Sequence, residues 1–421
     1  MALQSHLLYR RHVLFSSTSL GLPRPPLSSH FLILLPHYVP PLVQPLLTQM
    51  FFERFHLPAV LVITRELASL YGAGANSGLV IDIGDYAWRT EDEDDAEVVR
   101  TPSSLVPIFD GDPLFHNAHS SPLTSYDLDL HFAHLLLTAI PTLPSQLSLS
   151  GVPLLRALTR IISSLKSERH LACDLHPSLG LGTGTEEPAE AEDEEGITDV
   201  AKALASGKAN KIIENAKRKK SGVEEKKKDT VEIDHPAGKE NGKISVPIPL
   251  LSRYMDPLLK PEVLKDVRQS FAKPDIGLKN VAYSTEELQE LSNSVLDAAH
   301  YALDWNYSEI ETGMRAGIRD TIVIAGVGST IKGFGQALVS VLPSYVELAE
   351  SPDVEGETKP FNLGRLADYF SGFRGREDCL AFLGGCIIAK LGFNDSSYKL
   401  VVTKQDYNAL GPQAGLLLES S

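Results

Sequence analysis

The chain has 421 residues, with 54 acidic against 39 basic side chains and a formal net charge of −15. That length predicts two or more packed units, and the acidic excess argues against nucleic-acid phosphate as a main partner, because such binding is driven by clustered Lys and Arg. The cysteines, Cys173, Cys379 and Cys386, stand at no metal-ligand spacing and read as packed thiols of a reducing compartment.

Residues 1–30 hold no sustained period and contain the breaker cluster Leu22-Pro-Arg-Pro-Pro26, so they read as an irregular or misassigned start. No acidic residue precedes Glu53, while Arg10, Arg11, Arg24 and several serines do, which is also the composition of an organellar transit peptide. The apolar run Phe31 to Leu35 predicts a buried strand and is far short of the roughly 20 residues of a membrane helix. No membrane span is expected. Leu42, Val43, Leu46, Leu47, Met50, Phe51 and Phe55 recur at helical spacing and predict a helix from about Pro41 to His56 with those side chains toward a core.

Ala59 to Thr64 then reads as a strand, Arg65 to Tyr71 as a helix, Gly72 to Gly78 as a turn, and Leu79 to Ile83 as a second buried strand. Strand, helix, strand at short spacing predicts an α/β sheet with a crossover helix. The same grammar returns late, as a long polar helix from about Ser284 to Arg319, a strand Thr321 to Ala325, a Gly-rich turn, and a helix from about Gly335 to Val341. Between these runs, Thr183 to Asn241 opens acidic at Glu186–Glu195 and turns basic at Lys217–Lys220 and Lys226–Lys228, with few large apolar residues. Such a stretch cannot bury enough surface to offset chain entropy and is expected to be a disordered or partly helical insertion. Lys217–Lys220 is either a nuclear import signal or an ordinary linker charge run. His116 and His119 lie in irregular surroundings and read as surface residues.

Separate motifs, taken together, carry a resemblance. Thr48-Gln-Met-Phe-Phe-Glu-Arg-Phe55 leads into Pro58-Ala59, Leu70-Tyr71 and Asp82-Ile-Gly-Asp85; Val106-Pro-Ile-Phe-Asp-Gly111 follows. Later come Ile322-Val-Ile-Ala-Gly-Val-Gly-Ser-Thr-Ile-Lys-Gly333, Phe382-Leu-Gly-Gly-Cys386, and Thr403-Lys-Gln-Asp-Tyr407 with Gly411-Pro412. In order and spacing these resemble the actin family over residues 31–125 and 245–415. The resemblance implies the fold shared by actin, sugar kinases and heat-shock ATPases, with an incomplete amino-terminal lobe. It divides the chain into an irregular 1–30, subdomain 1 at 31–56 and 361–421, subdomain 3 at 57–125 and 245–360, and subdomain 4 at 126–244. Insertions are expected at 89–101, acidic, and at 183–241.

The resemblance also implies a nucleotide site, with Asp82, Gly84 and Asp85 at the phosphates, Gly326, Gly328 and Ser329 under the adenosine, and Gln49 positioning water. Each motif is damaged. Tyr86 replaces a glycine of the phosphate turn, Glu91–Asp95 and Glu97 crowd it with carboxylates, Val327 replaces a second glycine, and the family's first phosphate loop, Asp-x-Gly-[Ser/Thr]-Gly, has no counterpart before Phe31. ATP or ADP is thus at most a weak ligand, no metal is expected, and the chain reads as a pseudo-ATPase without catalytic residues. Within the family, Met50–Leu61 is similar to the pointed-end actin-related subunit of dynactin. That similarity implies a cytoplasmic, cytoskeletal cap of the dynactin filament, with the filament protein and pointed-end subunits as partners in dynein-driven, microtubule-based transport. The alternatives are a nuclear actin-related subunit of a chromatin remodelling complex and a divergent ATPase of the same superfold.

Overall fold

The computed structural model describes residues 30–88, 98–173, 230–236, 242–271, 295–303, 312–347, 361–394 and 400–419. In chain order the described elements are β1 (Phe31–Leu35), α1 (Val43–Phe55), β2 (Ala59–Thr64), α2 (Arg65–Gly72), β3 (Gly78–Ile83), β4 (Tyr86–Trp88), β5 (Val98–Arg100), β6 (Ser103–Phe109), β7 (Asp112–Pro113) and β8 (His119–Ser121). Then come α3 (Ser125–Ala139), α4 (Leu143–Leu147), α5 (Gly151–Ser167), β9 (Thr230–Asp234), β10 (Lys243–Pro247), α6 (Ile248–Leu251), α7 (Asp256–Leu259) and α8 (Leu264–Phe271). The last stretch holds α9 (Val295–Leu303), α10 (Thr312–Arg319), β11 (Thr321–Gly326), α11 (Phe334–Glu347), β12 (Asn362–Gly364), α12 (Leu380–Asn394), β13 (Val401–Thr403), α13 (Lys404–Leu410) and α14 (Ala414–Glu419).

The chain divides into two compact units, Met1–Asp127 with Thr285–Ser421, and Leu128–Ser284. Among the described residues the first carries two larger sheets, a three-stranded one in the order β1-β2-β13 and a six-stranded one in the order β12-β11-β3-β6-β7 with β8 beside β6, and a two-stranded ribbon β4-β5. In the larger sheet β11 runs parallel to β3 with Ala325 opposite Asp82 and Gly326 opposite Ile83, while β6 is antiparallel to β3. Two strands far apart in sequence therefore end side by side at one sheet edge, where α/β folds place their sites.

The two sheets share one helix layer. Along β2 the side chains alternate: Leu61 and Ile63 face α2 and α12 in a core that also takes Val80, Val106, Ile108 and Val323 from the larger sheet, whereas Val60 and Val62 pack on Phe52 of α1 and on Val402 and Ala414. Strand β2 runs straight into α2, because Thr64 is its last residue and also the helix N-cap, its hydroxyl accepting from Leu67 N at 3.3 Å. Helices α2 and α12 touch backbone to backbone. A Cβ on Gly384 would fall on the Ala68 carbonyl oxygen and 2.6 Å from Gly72 N, and one on Gly72 would fall on the Leu380 carbonyl. At the end of the smaller sheet Thr403 and Asp406 form a capping box for α13.

The second unit buries Phe132, Leu136, Leu154, Leu158, Ile162 and Leu165 from α3 and α5. One polar link closes that core: Tyr254 Oη and Lys166 Nζ each reach Asp129 Oδ1 at 2.8 Å.

Several expectations are corrected. Strand β1 is not buried: it is an edge strand whose residues are exposed or only partly covered. Leu42 precedes α1 and is 77% exposed, Leu46 is 51% exposed, and α1 buries Thr48 and Phe52 instead. In the stretch read as one long polar helix, 284–294 and 304–311 lie outside the described residues and the rest is helical, as α9 and α10, but α9 is not polar: it buries Val295, Leu296, Ala299 and Ala302. Within the stretch expected to lack a core, Thr230–Asp234 forms β9 on β10 with Ile233 buried; 183–229 and 237–241 lie outside the described residues. The acidic run at 89–97 also lies outside them, and its far flank, β5, pairs with β4. Cys386 is exposed, not packed, and His119 is half-buried, with burial lowering its pKa.

Filling the contact between α2 and α12 should be felt strongly. Gly384→Ala is expected to lose about 2–3 kcal/mol of stability in urea titrations, the range of overpacked cores. Gly372→Ala, where an added Cβ meets nothing within 4 Å, should stay within about 0.5 kcal/mol of the parent. Equal midpoints for the two variants would contradict the close helix contact.

Candidate functional site

At the carboxyl end of β3 the chain makes the turn that the resemblance assigns to phosphates, and the model shows its polar groups partnered from within. Gly84 N donates to Ser103 Oγ at 2.9 Å, Asp85 N to Thr101 Oγ1 at 2.8 Å, and Tyr86 N to the Asp85 carboxylate at 2.8 Å. The Asp85 carboxylate also accepts from Ser125 Oγ at 2.6 Å, and Gly84 O accepts from Ser125 N at 2.8 Å. A Cβ at Gly84 would overlap the Thr101 carbonyl, so this glycine is needed for the approach of its own chain at 101–103. Anion-binding turns work by presenting free N–H groups to the ligand. Here those donors are spent.

Asp82, the last but one residue of β3, is fully buried. Arg65, the first residue of α2, sets its Nε against Asp82 Oδ2 as an ion pair. The other oxygen, Oδ1, faces Gly326, where an added Cβ would lie 2.5 Å away. Arg65 meets Asp82 as an ion pair without hydrogen-bond geometry, so neither Asp82 oxygen receives a hydrogen bond among the described residues. Burial pushes the Asp82 carboxyl up to about 7, although Arg65 opposes it. Next to it, Glu66 is also fully buried, yet its pKa is lowered: burial pushes up, but hydrogen bonds from His37 and Ser104 outweigh it. Ser104 Oγ donates to Glu66 Oε1 at 2.7 Å, and His37 approaches the same oxygen through its backbone N at 3.3 Å and Nδ1 at 3.2 Å. Tyr38 has its pKa raised chiefly by burial, with Thr101 and Arg65 opposing.

The Gly-rich turn after β11 comes to the same edge. Gly326 takes φ 66°, and Gly328 lies against Ile83, where an added Cβ would be 2.7 Å from Cγ1. Ser329 Oγ donates back to Gly326 O at 2.7 Å. The fold thus gathers Asp82, Gly84, Asp85, Gly326, Gly328 and Ser329. Gln49 is not shown with them: it sits partly exposed on α1 and donates its amide to Glu53 one turn on, at 3.2 Å. Arg65, Glu66, His37, Ser104, Thr101 and Ser103 were missed. No motif marks them: the pairing of β3 with β6 sets Ser104 opposite Asp82, while Arg65 and Glu66 come from the start of α2 and His37 from the segment after β1.

These residues do not fit a nucleotide with its metal. The turn amides are taken, Tyr86 packs edge-on against Tyr126 at 5.1 Å, and Arg65 occupies the carboxylate that a cation would need. Among the described residues no group of three or more His, Cys, Asp or Glu is placed to hold a metal ion. No described helix is long and apolar enough to cross a membrane.

A mixed α/β unit with two sheets on a shared helix layer, and a phosphate-type turn facing a Gly-rich turn, is the layout of an actin-like fold. The family model described as Actin matches residues 11–415, so the chain belongs to the actin family. It is 27% identical over 406 residues to the SWI/SNF and RSC complexes subunit arp9 of Schizosaccharomyces pombe, an alignment covering 88% of this chain and 68% of that protein.

This similarity overturns the reading as a dynactin pointed-end subunit, with its cytoplasmic and cytoskeletal setting, its dynactin partners and its part in microtubule-based transport. The reason is physical. In the run Met50–Leu61 on which that reading stood, Phe52, Leu57, Ala59, Val60 and Leu61 are buried. They report the packing of this chain's own core and carry no information about a partner.

The raised Asp82 pKa has a definite sign. With an ordinary value of 3.8 and a folded value of about 7, the folded state holds an extra proton between the two. The stability this contributes is fully present below about 3.8 and is lost as pH rises through about 7. Replacing the carboxyl, Asp82→Asn, should flatten the fall in melting temperature between pH 4 and pH 8. A variant curve parallel to the parent's would show that Asp82 does not titrate in this range.

Proposed function

We propose that this chain is a non-catalytic actin-related subunit of a nuclear chromatin remodelling complex of the SWI/SNF or RSC type. The observation that carries the reading is the similarity to arp9 of such complexes over 88% of this chain. The filled phosphate turn supports the non-catalytic part, because a turn whose amides are already bonded has little to offer a triphosphate. In this reading residues 31–56 and 361–421 build subdomain 1, 57–125 and 245–360 subdomain 3, and 126–244 subdomain 4. Asp82, Gly84, Asp85, Gly326, Gly328 and Ser329 are the remnant of a nucleotide site. Lys217–Lys220 serves as the nuclear import signal.

Affinity purification of the tagged full chain from nuclear extract should recover the helicase-type ATPase and other subunits of one remodelling complex. Recovery of unrelated partners without them would overturn the assignment. Changing Lys217–Lys220 to alanines should move the tagged chain to the cytoplasm in fluorescence images. The purified chain should release no phosphate from ATP above buffer level; turnover that disappears in Asp82→Ala would refute the non-catalytic reading.

A further inference from the structure

The polar cluster at Asp82 does more than block a ligand. Two of its contacts run between the two larger sheets of the first unit, and a third ties Glu66 back to the smaller of them. Arg65, which continues β2 of the smaller sheet, reaches Asp82 of β3 in the larger one. Glu66 accepts from Ser104 of β6 in the larger sheet, and from His37, which follows β1 of the smaller one. Each carboxylate is fully buried, so neither can turn to solvent for compensation. Gly326 shuts the remaining side of Asp82.

We propose that Arg65 is a built-in counter-ion that stands in for the metal and phosphate ligand of an actin-type cleft, linking the two sheets of the first unit with nothing bound. The proposal rests on the nucleotide-independent reading above and adds the device that makes it workable. A cation and the Arg65 guanidinium compete for the same oxygen and repel each other, so the two are mutually exclusive at Asp82. The guanidinium is tethered, and its position needs no ligand concentration to maintain it. Arg65 is 33% exposed, so it can be rehydrated if Asp82 is neutralised. Asp82, at 0%, cannot be rehydrated if Arg65 is removed. Losing the guanidinium alone therefore strands a buried carboxylate, and the harm is larger where that carboxylate is charged. The charged and titratable groups facing Asp82 are Arg65 and Glu66 on α2, and His37 and Tyr38 after β1.

The test is a double-mutant cycle on the full chain, read by melting temperature at pH 5 and pH 8 with Arg65→Met, Asp82→Asn and the pair together. Arg65→Met should lower the midpoint by about 5 °C at pH 8 and by much less at pH 5. In the Asp82→Asn background the same change should lower it by less than about 2 °C at either pH. Millimolar magnesium ATP should leave the parent midpoint unmoved. If Arg65→Met does not fold, Arg65→Lys replaces it and should show a smaller drop at pH 8 that Asp82→Asn again relieves. Losses that simply add in the double variant would sink the counter-ion role while leaving the complex assignment standing, because that assignment is read by co-purification. A rise of several degrees in the parent with magnesium ATP would overturn the substitution of ligand by Arg65.

Discussion

The first unit depends on one approach: α2 and α12 lie so close that position 384 has room only for a hydrogen atom, and position 72 likewise. Both sheets rest on this pair. The smaller sheet sends Leu61 and Ile63 into the shared core, the larger one Val80, Val106 and Val323, and the helices supply Leu67, Ala68, Leu380 and Ile388 between them. Close-packed interiors transmit strain because they lack voids to absorb it. Any widening of the helix pair therefore displaces β3 and β11 relative to β2, and with them the edge where Asp82, Gly326 and Arg65 meet.

The two glycine-bearing signatures of the sequence, Leu70-Tyr71-Gly72 and Leu383-Gly384-Gly385, are thus halves of a single contact. Their preservation here says nothing about ligand binding. A chain can lose the polar chemistry at its strand ends and keep this contact, since apolar packing and glycine clearance do not draw on the phosphate turn. That separation explains how so actin-like a core coexists with a turn bonded to its own hydroxyls. Ser103 and Thr101 accept from the amides of Gly84 and Asp85, and a guanidinium sits against the carboxylate.

What could be read in advance follows the same division. Strands β2, β3 and β11 and helix α2 were legible because β-branched runs and flanking glycines report local preference and burial together. The apolar face of α1 was drawn wrongly, since periodicity shows that Leu42 and Leu46 can be buried but not whether a partner layer exists on their side; Phe52, which packs its ring on Tyr407 at 4.7 Å, takes that place. Strand β9 was hidden by the charged stretch around it, where Val231 and Ile233 are its only large apolar residues. The glycines and acids of the site were legible as motif residues. Their partners were not, because Arg65 opens the helix that follows the smaller sheet while Asp82 lies in the larger one, and no spacing in the sequence announces that they meet. Gln49 makes the complementary point: resemblance along a helix supplies a residue type, whereas only geometry supplies a neighbour, here Glu53.

A buried ion pair is seldom the most stable way to fill a site, since desolvating both charges offsets most of their attraction. The direction of the Asp82 shift agrees, with burial prevailing over the pull of Arg65. What such a pair contributes is selectivity of arrangement: a larger sheet displaced from the smaller one would leave Asp82 buried without Arg65 and Glu66 buried without Ser104, and that penalty falls on every alternative packing of the two sheets. An apolar filling at position 65 would tolerate sliding, and a bound ligand would tie the geometry to ligand supply. A tethered cation over a buried carboxylate trades some stability for a single geometry of the two sheets.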